Sequence, residues 1–149
     1  MIRTKRIYDP PSPEDGYRLL IMRLWPRGVT KAAVDGWEKE LGPSRELLMS
    51  FRAGRLSWED LAARYREEMS AREELLERYR DLGRRQTLTL LCGCPDEARC
   101  HRSLLKEILE SEVTWGRAPR RATPLRYTRL VAAAAQRQRR RPGNSEAKL

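Results

Sequence analysis

The thiol and imidazole groups of this chain are concentrated in one short segment. All three cysteines and the only histidine lie in Cys92-Gly-Cys-Pro-Asp-Glu-Ala-Arg-Cys-His-Arg102. A thiolate is a nucleophile whose pKa falls in a positive field, and a histidine can serve as general acid or base. Any chemistry of this chain is therefore expected in this segment.

The end of this segment predicts an anion site. Leu104, Leu105, Ile108 and Leu109 recur at helical spacing, so a helix is expected to begin near Arg102. A helix N-terminus and a guanidinium both bind phosphate or carboxylate. The predicted anion-binding residues here are Cys92, Arg102 and Ser103.

Cys100 and His101 are the candidate catalytic thiol and acid or base. Neighbouring side chains on a helix point about 100 degrees apart. We therefore do not expect Cys100 and His101 to face the same substrate atom.

Metal binding and phosphatase chemistry are two alternatives for the same segment. Cys92, Cys94, Cys100 and His101 are ligand types that suit zinc. Adjacent ligands such as Cys100 and His101 rarely bind one ion, so no metal and no cofactor is expected. A phosphatase loop places five residues between its cysteine and arginine, whereas six separate Cys92 from Arg99 and four separate Cys94 from Arg99.

A second candidate segment is Arg23-Leu-Trp-Pro-Arg-Gly28, at the end of an expected strand. Ligands of open α/β sheets gather at the carboxyl ends of strands. Arg23, Trp25 and Arg27 would then face the same crevice as Arg102. Alternatively, Trp25 belongs to the core and Arg27 lies on an exposed turn.

The hydrophobic pattern predicts an alternation of strands and helices. The loop over residues 9–16 contains three prolines, and it is short for a parallel crossover, so spacing alone favours an antiparallel first pair. Thr30 and Ser57 are the expected N-caps of two of the helices, and another helix is expected to start at Ser44. The predicted strands are 2–7, 17–24 and 87–91, and the predicted helices are 30–41, 44–54 and 57–83, followed by one after residue 102.

Charge divides the chain into two parts. Residues 1–116 carry 21 Lys and Arg against 20 Asp and Glu, whereas residues 117–149 carry 10 against one. A near-neutral domain followed by a basic, partly disordered arm is therefore expected. The odd number of cysteines and the lack of a long apolar run favour a cytoplasmic protein with free thiols and no membrane span.

Several motifs resemble the YeaO-like branch of the domain of unknown function family 488. The resemblance covers about residues 1–113 and implies a small α/β domain of three-layer type, whose short and mostly parallel sheet is flanked by helices. It also implies parallel first strands, a bacterial or archaeal cytoplasmic protein, and no established activity. The motifs are 7–18, 23–28, 41–44 and 58–65.

The chain departs from this family pattern at two places. Its Cys100-His-Arg102 ending resembles the wider family, whereas YeaO-like members often lack it. Met22 stands where the family commonly has an aspartate before the arginine of the second strand. A general base or metal ligand at that position would be absent here.

These observations lead to one main functional hypothesis. Residues 1–116 are expected to bind an anionic small molecule, a nucleotide or a nucleic-acid phosphate backbone. One alternative is a hydrolase or transferase that uses Cys100 and His101 in the same pocket. Another is a nucleic-acid-associated, regulator-like protein that binds through residues 117–149. Whether the protein is an enzyme, and its oligomeric state, are left open by the sequence.

Overall fold

The computed structural model describes residues 1–111, which lie within the unit Met1–Trp115. The basic arm predicted for residues 117–149 therefore lies outside the described residues. The described part is a small α/β domain, as predicted. Its strands are β1 (Ile2–Arg6), β2 (Tyr17–Leu20), β3 (Gly36–Trp37) and β4 (Leu88–Cys92). They form one parallel sheet in the order β1-β4-β2-β3.

The first two strands are parallel because β4 lies between them and pairs with both. The family resemblance implied this arrangement, and the antiparallel pair expected from the short loop is wrong. Residues 7–16 reach about 33 Å when fully extended, at roughly 3.3 Å per residue. That is about twice the length of the five-residue β1. This segment, which contains one 3-10 turn at Pro13–Asp15, can therefore return the chain to the start of β2 without an α-helix.

Gly16 ends this return segment with a backbone that requires glycine. Its φ is 61°, and a Cβ at this position would overlap the carbonyl oxygen of Thr87. The close approach lets Tyr17 N–H donate to the same carbonyl at 2.8 Å. β2 therefore begins directly beside β4.

The helix predicted over residues 30–41 is wrong. Two short 3-10 turns, Lys31–Ala33 and Lys39–Leu41, flank β3 instead. The backbone around β3 donates to β2, from Asp35 N–H to Arg18 O at 2.8 Å and from Glu38 N–H to Leu20 O at 2.9 Å. Hydrogen bonds to a strand distant in sequence thus outweigh the local helical pattern.

The long helix predicted over residues 57–83 is two helices. The helices are α1 (Arg45–Arg52), α2 (Trp58–Ser70), α3 (Glu73–Arg85) and α4 (His101–Glu110). α2 ends at Ser70 and α3 begins at Glu73, and Gly83 lies inside α3. Ser57 caps α2, as predicted, and Ser44 caps α1, since each hydroxyl accepts a backbone N–H. The cap predicted at Thr30 is wrong, because its side chain makes no capping hydrogen bond.

The two faces of the sheet are covered differently. α3 and α4 pack against β4 on one face, and α2 packs on both helices. On the other face, Leu20 and Leu91 lie side by side and are covered by a segment without an α-helix. Partly buried side chains of that segment complete the layer: Met22, Trp25, Val29 and Val34. α4 and the end of β4 thus meet on the helical face, at the carboxyl edge of the sheet.

Candidate functional site

The end of β4 and the start of α4 bring Cys92, Cys100 and His101 together. One sulfur or ring nitrogen atom from each residue lies within 4.8 Å of the other two. Their exposed fractions are 4%, 2% and 9%. The cluster is therefore nearly enclosed.

Cys100 and His101 face the same point, contrary to the expectation from helical geometry. Cys100 is the N-cap residue of α4, with φ −131° and ψ 140°, so it is extended rather than helical. The separation of about 100 degrees holds only between two helical residues. The extended backbone turns the Cys100 thiol toward Cys92.

The imidazole of His101 is held from two sides. Its Nε2 lies 2.6 Å from the carbonyl oxygen of Ile21. A carbonyl only accepts, so Nε2 carries a proton. Tyr65 packs edge-on against the ring at 5.8 Å between centroids, and its hydroxyl donates to Leu41 O at 2.7 Å.

The other ring nitrogen of His101 faces the cysteine at the end of β4. Nδ1 lies 3.9 Å from Cys92 Sγ. In the neutral ring, Nδ1 holds a lone pair, because Nε2 holds the proton. In the charged ring, Nδ1 is a second donor and stabilises an adjacent thiolate.

The surroundings of Cys92 favour its thiolate. A hydrogen bond from the Cys100 thiol, helped by His101 and by the N–H of Cys94, lowers the pKa of Cys92 to about 4, although burial opposes this. The pKa of Cys100 is raised, because its thiol donates to Cys92 and is buried. Cys92 is therefore the ionised member of the pair.

Arg102 holds the loop that follows β4. Its Nη1 donates to Cys92 O at 3.3 Å and to Cys94 O at 3.0 Å. The residue is buried, and among the described residues its Nε has no hydrogen-bond partner. The guanidinium predicted to bind an anion is thus directed at backbone carbonyls of the site itself.

Arg6 and Tyr8 also border the loop, and sequence reasoning missed both. Arg6 is paired with Cys92 in the sheet register, and its Nε donates to Gly93 O at 3.3 Å. Its guanidinium lies over the half-exposed Tyr8 ring at 5.1 Å. The predicted end of the first strand near residue 7 could have indicated both residues, since neighbouring parallel strands end at the same edge of a sheet.

The Arg23 side chain, in the segment at residues 23–28, does not face the cysteine segment. Arg23 donates to Pro43 O at 3.3 Å and to Gly42 O at 3.0 Å, and pairs with Glu40 at 3.2 Å. Its guanidinium is directed at the turn before α1 rather than at the cysteines.

Trp25 is partly buried, whereas Arg27 lies on the surface. The Trp25 indole donates to Val29 O at 2.8 Å and packs edge-on against Trp37. Arg27 is exposed, and its side chain makes no hydrogen bond or ion pair with residues 1–111. The Tyr8 hydroxyl donates to Arg27 O at 3.2 Å. Tyr8 lies beside Gly93, so this hydrogen bond connects the turn at Arg27 to the loop after β4. The Arg27 side chain thus lies on the surface, as expected from the alternative interpretation of this segment.

Ser103 and Cys94 point away from the cluster. Ser103 Oγ donates to Glu97 O at 2.7 Å. Cys94 Sγ lies 3.5 Å from Asp96 O and 3.9 Å from Arg99 O. Of the four zinc-type ligands noted in the sequence, the structure gathers three.

Those three residues could hold a soft divalent cation. Two thiols and an imidazole suit zinc, and three protein ligands leave a fourth position open. A ring nitrogen facing the site, with the other one bound to a carbonyl, is also the usual arrangement of a metal-bound histidine. The residues thus fit either a metal ligand set or a thiol with its base.

No helix within residues 1–111 is long and apolar enough to cross a lipid bilayer.

Comparison with known proteins places the chain in a family. A family model, DUF488-N3a, described as the active DUF488-N3 subclade, matches residues 2–113. Uncharacterized protein YeaO of Escherichia coli (strain K12) is 38% identical over 112 residues, which cover 74% of this chain and 97% of YeaO. Uncharacterized protein Rv3073c of Mycobacterium tuberculosis (strain ATCC 25618 / H37Rv) is 33% identical over 110 residues, or 72% of this chain and 92% of the relative. No solved structure matches. The chain belongs to the DUF488-N3a family, on the YeaO-like branch that its sequence motifs resemble.

Proposed function

We propose that this protein is an enzyme that transfers or hydrolyses a group of an anionic substrate, with Cys92 as the nucleophile. The observation that carries the proposal is the position of Cys92 Sγ, which lies against the Cys100 thiol and 3.9 Å from His101 Nδ1. A cysteine acts as a nucleophile when nearby donors and positive charge stabilise its thiolate. Its pKa of about 4 agrees with this role.

The position in the fold supports the same role. Cys92 ends β4, a strand with a neighbour on each side. Ligands of parallel sheets bind beyond the carboxyl ends of such strands. The N-terminus of α4, a helix of ten residues, contributes the positive end of its dipole beside the sulfur.

The reaction balances with the groups present and one water molecule. The Cys92 thiolate attacks the electrophilic atom of the substrate, a bond from sulfur forms, and the bond to the leaving group breaks. Protonated His101 gives its Nδ1 proton to the leaving group. Neutral His101 then takes a proton from water, the resulting hydroxide attacks the intermediate, and the thiolate is regenerated.

Three residues predicted from the sequence have different roles in this proposal. Cys100, a candidate catalytic thiol, becomes a donor that stabilises the Cys92 thiolate. Arg102, a candidate anion ligand, becomes a positioning residue for the loop after β4. Arg27, which is exposed at the same edge, remains a candidate for binding the anionic part of the substrate, such as a phosphate group of a small molecule or a nucleic acid.

The family description adds independent support. The matching subclade is described as active, which agrees with the proposal that this protein is an enzyme. Anion binding without turnover is the simpler form of the same proposal, and the experiment below separates the two.

The test is to trap the covalent intermediate on the full chain. p-Nitrophenyl phosphate and p-nitrophenyl acetate serve as probes, and rapid acid quenching followed by peptide mass spectrometry detects an adduct. We expect a phosphoryl or acetyl group on Cys92 and none in Cys92→Ser, whereas Cys94→Ser should behave like the unmodified chain. Binding of inorganic phosphate with no adduct from either probe, and with Cys92 alkylated by iodoacetamide only above about pH 8 as an ordinary thiol would be, would contradict the enzyme proposal.

A further inference from the structure

The second thiol of the cluster has no role in the reaction beyond stabilising the first. Cys92 and Cys100 are both free cysteines, and their sulfur atoms are within 4.8 Å of each other. A disulfide has a sulfur to sulfur length of about 2.05 Å and needs its Cβ atoms about 4 Å apart. The two sulfur atoms therefore need to approach each other by less than about 3 Å for the bond to form.

We propose that Cys92 and Cys100 form a reversible disulfide when the protein meets hydrogen peroxide, so that this pair is an oxidation site that switches off the nucleophile. The inference rests on the proposed function, because the reactive species is the Cys92 thiolate. It goes further in assigning a resolving role to Cys100.

The oxidation balances in two steps. In the first step, the Cys92 thiolate attacks one oxygen of hydrogen peroxide, a sulfur to oxygen bond forms, the oxygen to oxygen bond breaks, and hydroxide leaves. That hydroxide takes the proton of the Cys100 thiol and becomes water. Cys92 is now a sulfenic acid, oxidised by two electrons, and the peroxide has been reduced.

In the second step, the Cys100 thiolate attacks the sulfur of the sulfenic acid. The sulfur to sulfur bond forms, the sulfur to oxygen bond breaks, and the leaving hydroxide takes a proton from His101 or from solvent to become water. The Cys100 sulfur atom lies within 4.8 Å of the Cys92 sulfur atom, so it is placed to make this attack.

Cys94 is nearer to Cys92 in sequence but is placed less well to resolve it. Its sulfur is directed at the carbonyl oxygens of Asp96 and Arg99. The structure thus predicts which of two cysteines forms the bond, and this selectivity makes the inference testable.

Trypsin digestion places Cys100 on a different peptide from Cys92 and Cys94. Cleavage after Arg85, Arg99 and Arg102 places Cys92 and Cys94 on one peptide and Cys100 on another. After treatment of the full chain with hydrogen peroxide, a mass loss of about 2 Da and a cross-link between the two peptides report the disulfide. Dithiothreitol should reverse both changes and restore alkylation of Cys92.

Matched variants identify the sulfur atoms involved. Cys94→Ser should keep the cross-link, whereas Cys100→Ser should lose it and accumulate a Cys92 sulfenic acid that dimedone traps. Loss of the cross-link in Cys94→Ser, or irreversible oxidation of Cys92 in the unmodified chain without any cross-link, would overturn the inference. In the second case protein that has not been treated with peroxide would still form the Cys92 adduct with the p-nitrophenyl probes, so failure of the oxidation site is distinguishable from failure of the enzyme proposal.

Discussion

His101 and Ile21 join the first turn of α4 to the end of β2 through a hydrogen bond of 2.6 Å between Nε2 and a carbonyl oxygen. This bond fixes the ring so that Nδ1 faces Cys92 Sγ. The orientation depends on residues that are far apart in sequence, and the functional proposal depends on the orientation.

Replacing His101 with glutamine should make Cys92 behave more like an ordinary thiol. With a pKa of about 4, the sulfur is ionised throughout the range from pH 6 to pH 9, so alkylation by iodoacetamide should hardly change with pH. Loss of the imidazole raises this pKa, although the larger cause, the hydrogen bond from Cys100, remains. When the profile is extended down to about pH 4, alkylation of the variant should therefore fall off at a higher pH than alkylation of the unmodified chain. Cys94→Ser in both backgrounds removes the more exposed thiol from the measurement. Identical pH profiles would show that His101 does not stabilise the thiolate.

Replacing Arg102 with methionine should destabilise the domain. Its guanidinium donates hydrogen bonds to two carbonyl oxygens, those of Cys92 and Cys94. Losing a charged donor to buried carbonyls costs about 1.5 to 3 kcal/mol. Urea unfolding measures the loss. Arg99→Met is the control, because the exposed Arg99 side chain has no hydrogen bond or ion pair within residues 1–111, and its effect should stay within roughly 0.5 kcal/mol. Equal stability of the two variants would contradict a structural role for Arg102.

The order of strands and helices could largely be predicted from the sequence, whereas the tertiary contacts between them could not. Apolar runs identified the positions of β1, β2 and β4, and serine caps identified two helix starts. The pattern over residues 30–41 is helical locally, but β3 forms there because Asp35 and Glu38 donate to β2. A pattern within one segment carries no information about a partner elsewhere in the chain.

The site was predictable in composition but not in geometry. The clustering of cysteine and histidine identified the correct segment, yet the meeting of Cys100 with Cys92 depends on an extended N-cap residue. Arg6 reaches Gly93 only because the register places β1 beside β4. Sheet register and the dihedral angles of a single residue both depend on tertiary structure, and spacing does not specify them.

Two glycines offer a matched test of the return segment before β2. Gly16 and Gly54 both have positive φ, 61° and 73°, but only Gly16 has an obstructed Cβ position. Gly54→Ala should cost about 1 kcal/mol for the backbone conformation alone. Gly16→Ala should cost at least roughly 2 kcal/mol more, because the overlapped atom is the Thr87 carbonyl oxygen rather than a flexible side chain. Thermal unfolding of the two variants measures the loss of stability in each. Equal losses of stability would show that β2 and β4 are not so closely apposed.

Asp15 should contribute to stability in a way that depends on pH. Its side chain is 1% exposed and pairs with Arg18, which is 3% exposed. Burial raises the pKa of Asp15, but hydrogen bonds from Ser12 N–H, Lys5 and Arg18 more than offset this and lower it below 3.8. A carboxyl whose pKa is lower in the folded state stabilises the fold above its unfolded pKa, and this contribution disappears as pH falls through the folded value.

Asp15→Asn should therefore destabilise the domain at pH 7 by about 3 to 5 kcal/mol, because Arg18 would stay buried without its counter-charge. The difference from the unmodified chain should shrink below about pH 4. Glu14→Gln is the control, since the Glu14 side chain is 80% exposed. Urea unfolding at pH 7 and pH 3.5 measures both variants, and a loss that does not change with pH would contradict this account.

The basic residues beyond position 116 should carry most of any non-specific affinity for nucleic acid. They number 10 Lys and Arg against one acidic residue, whereas residues 1–116 are nearly neutral. Such affinity comes from neutralised phosphates, and the logarithm of the binding constant falls with the logarithm of salt by about 0.9 per phosphate contacted. A chain that ends at Gly116 should lose this binding and its salt dependence, while the Cys92 adduct from p-nitrophenyl probes is unchanged, because the family match ends at residue 113. Fluorescence titration of a labelled duplex at two salt concentrations measures both chains, and equal affinities with equal salt slopes would show that residues 117–149 do not bind nucleic acid.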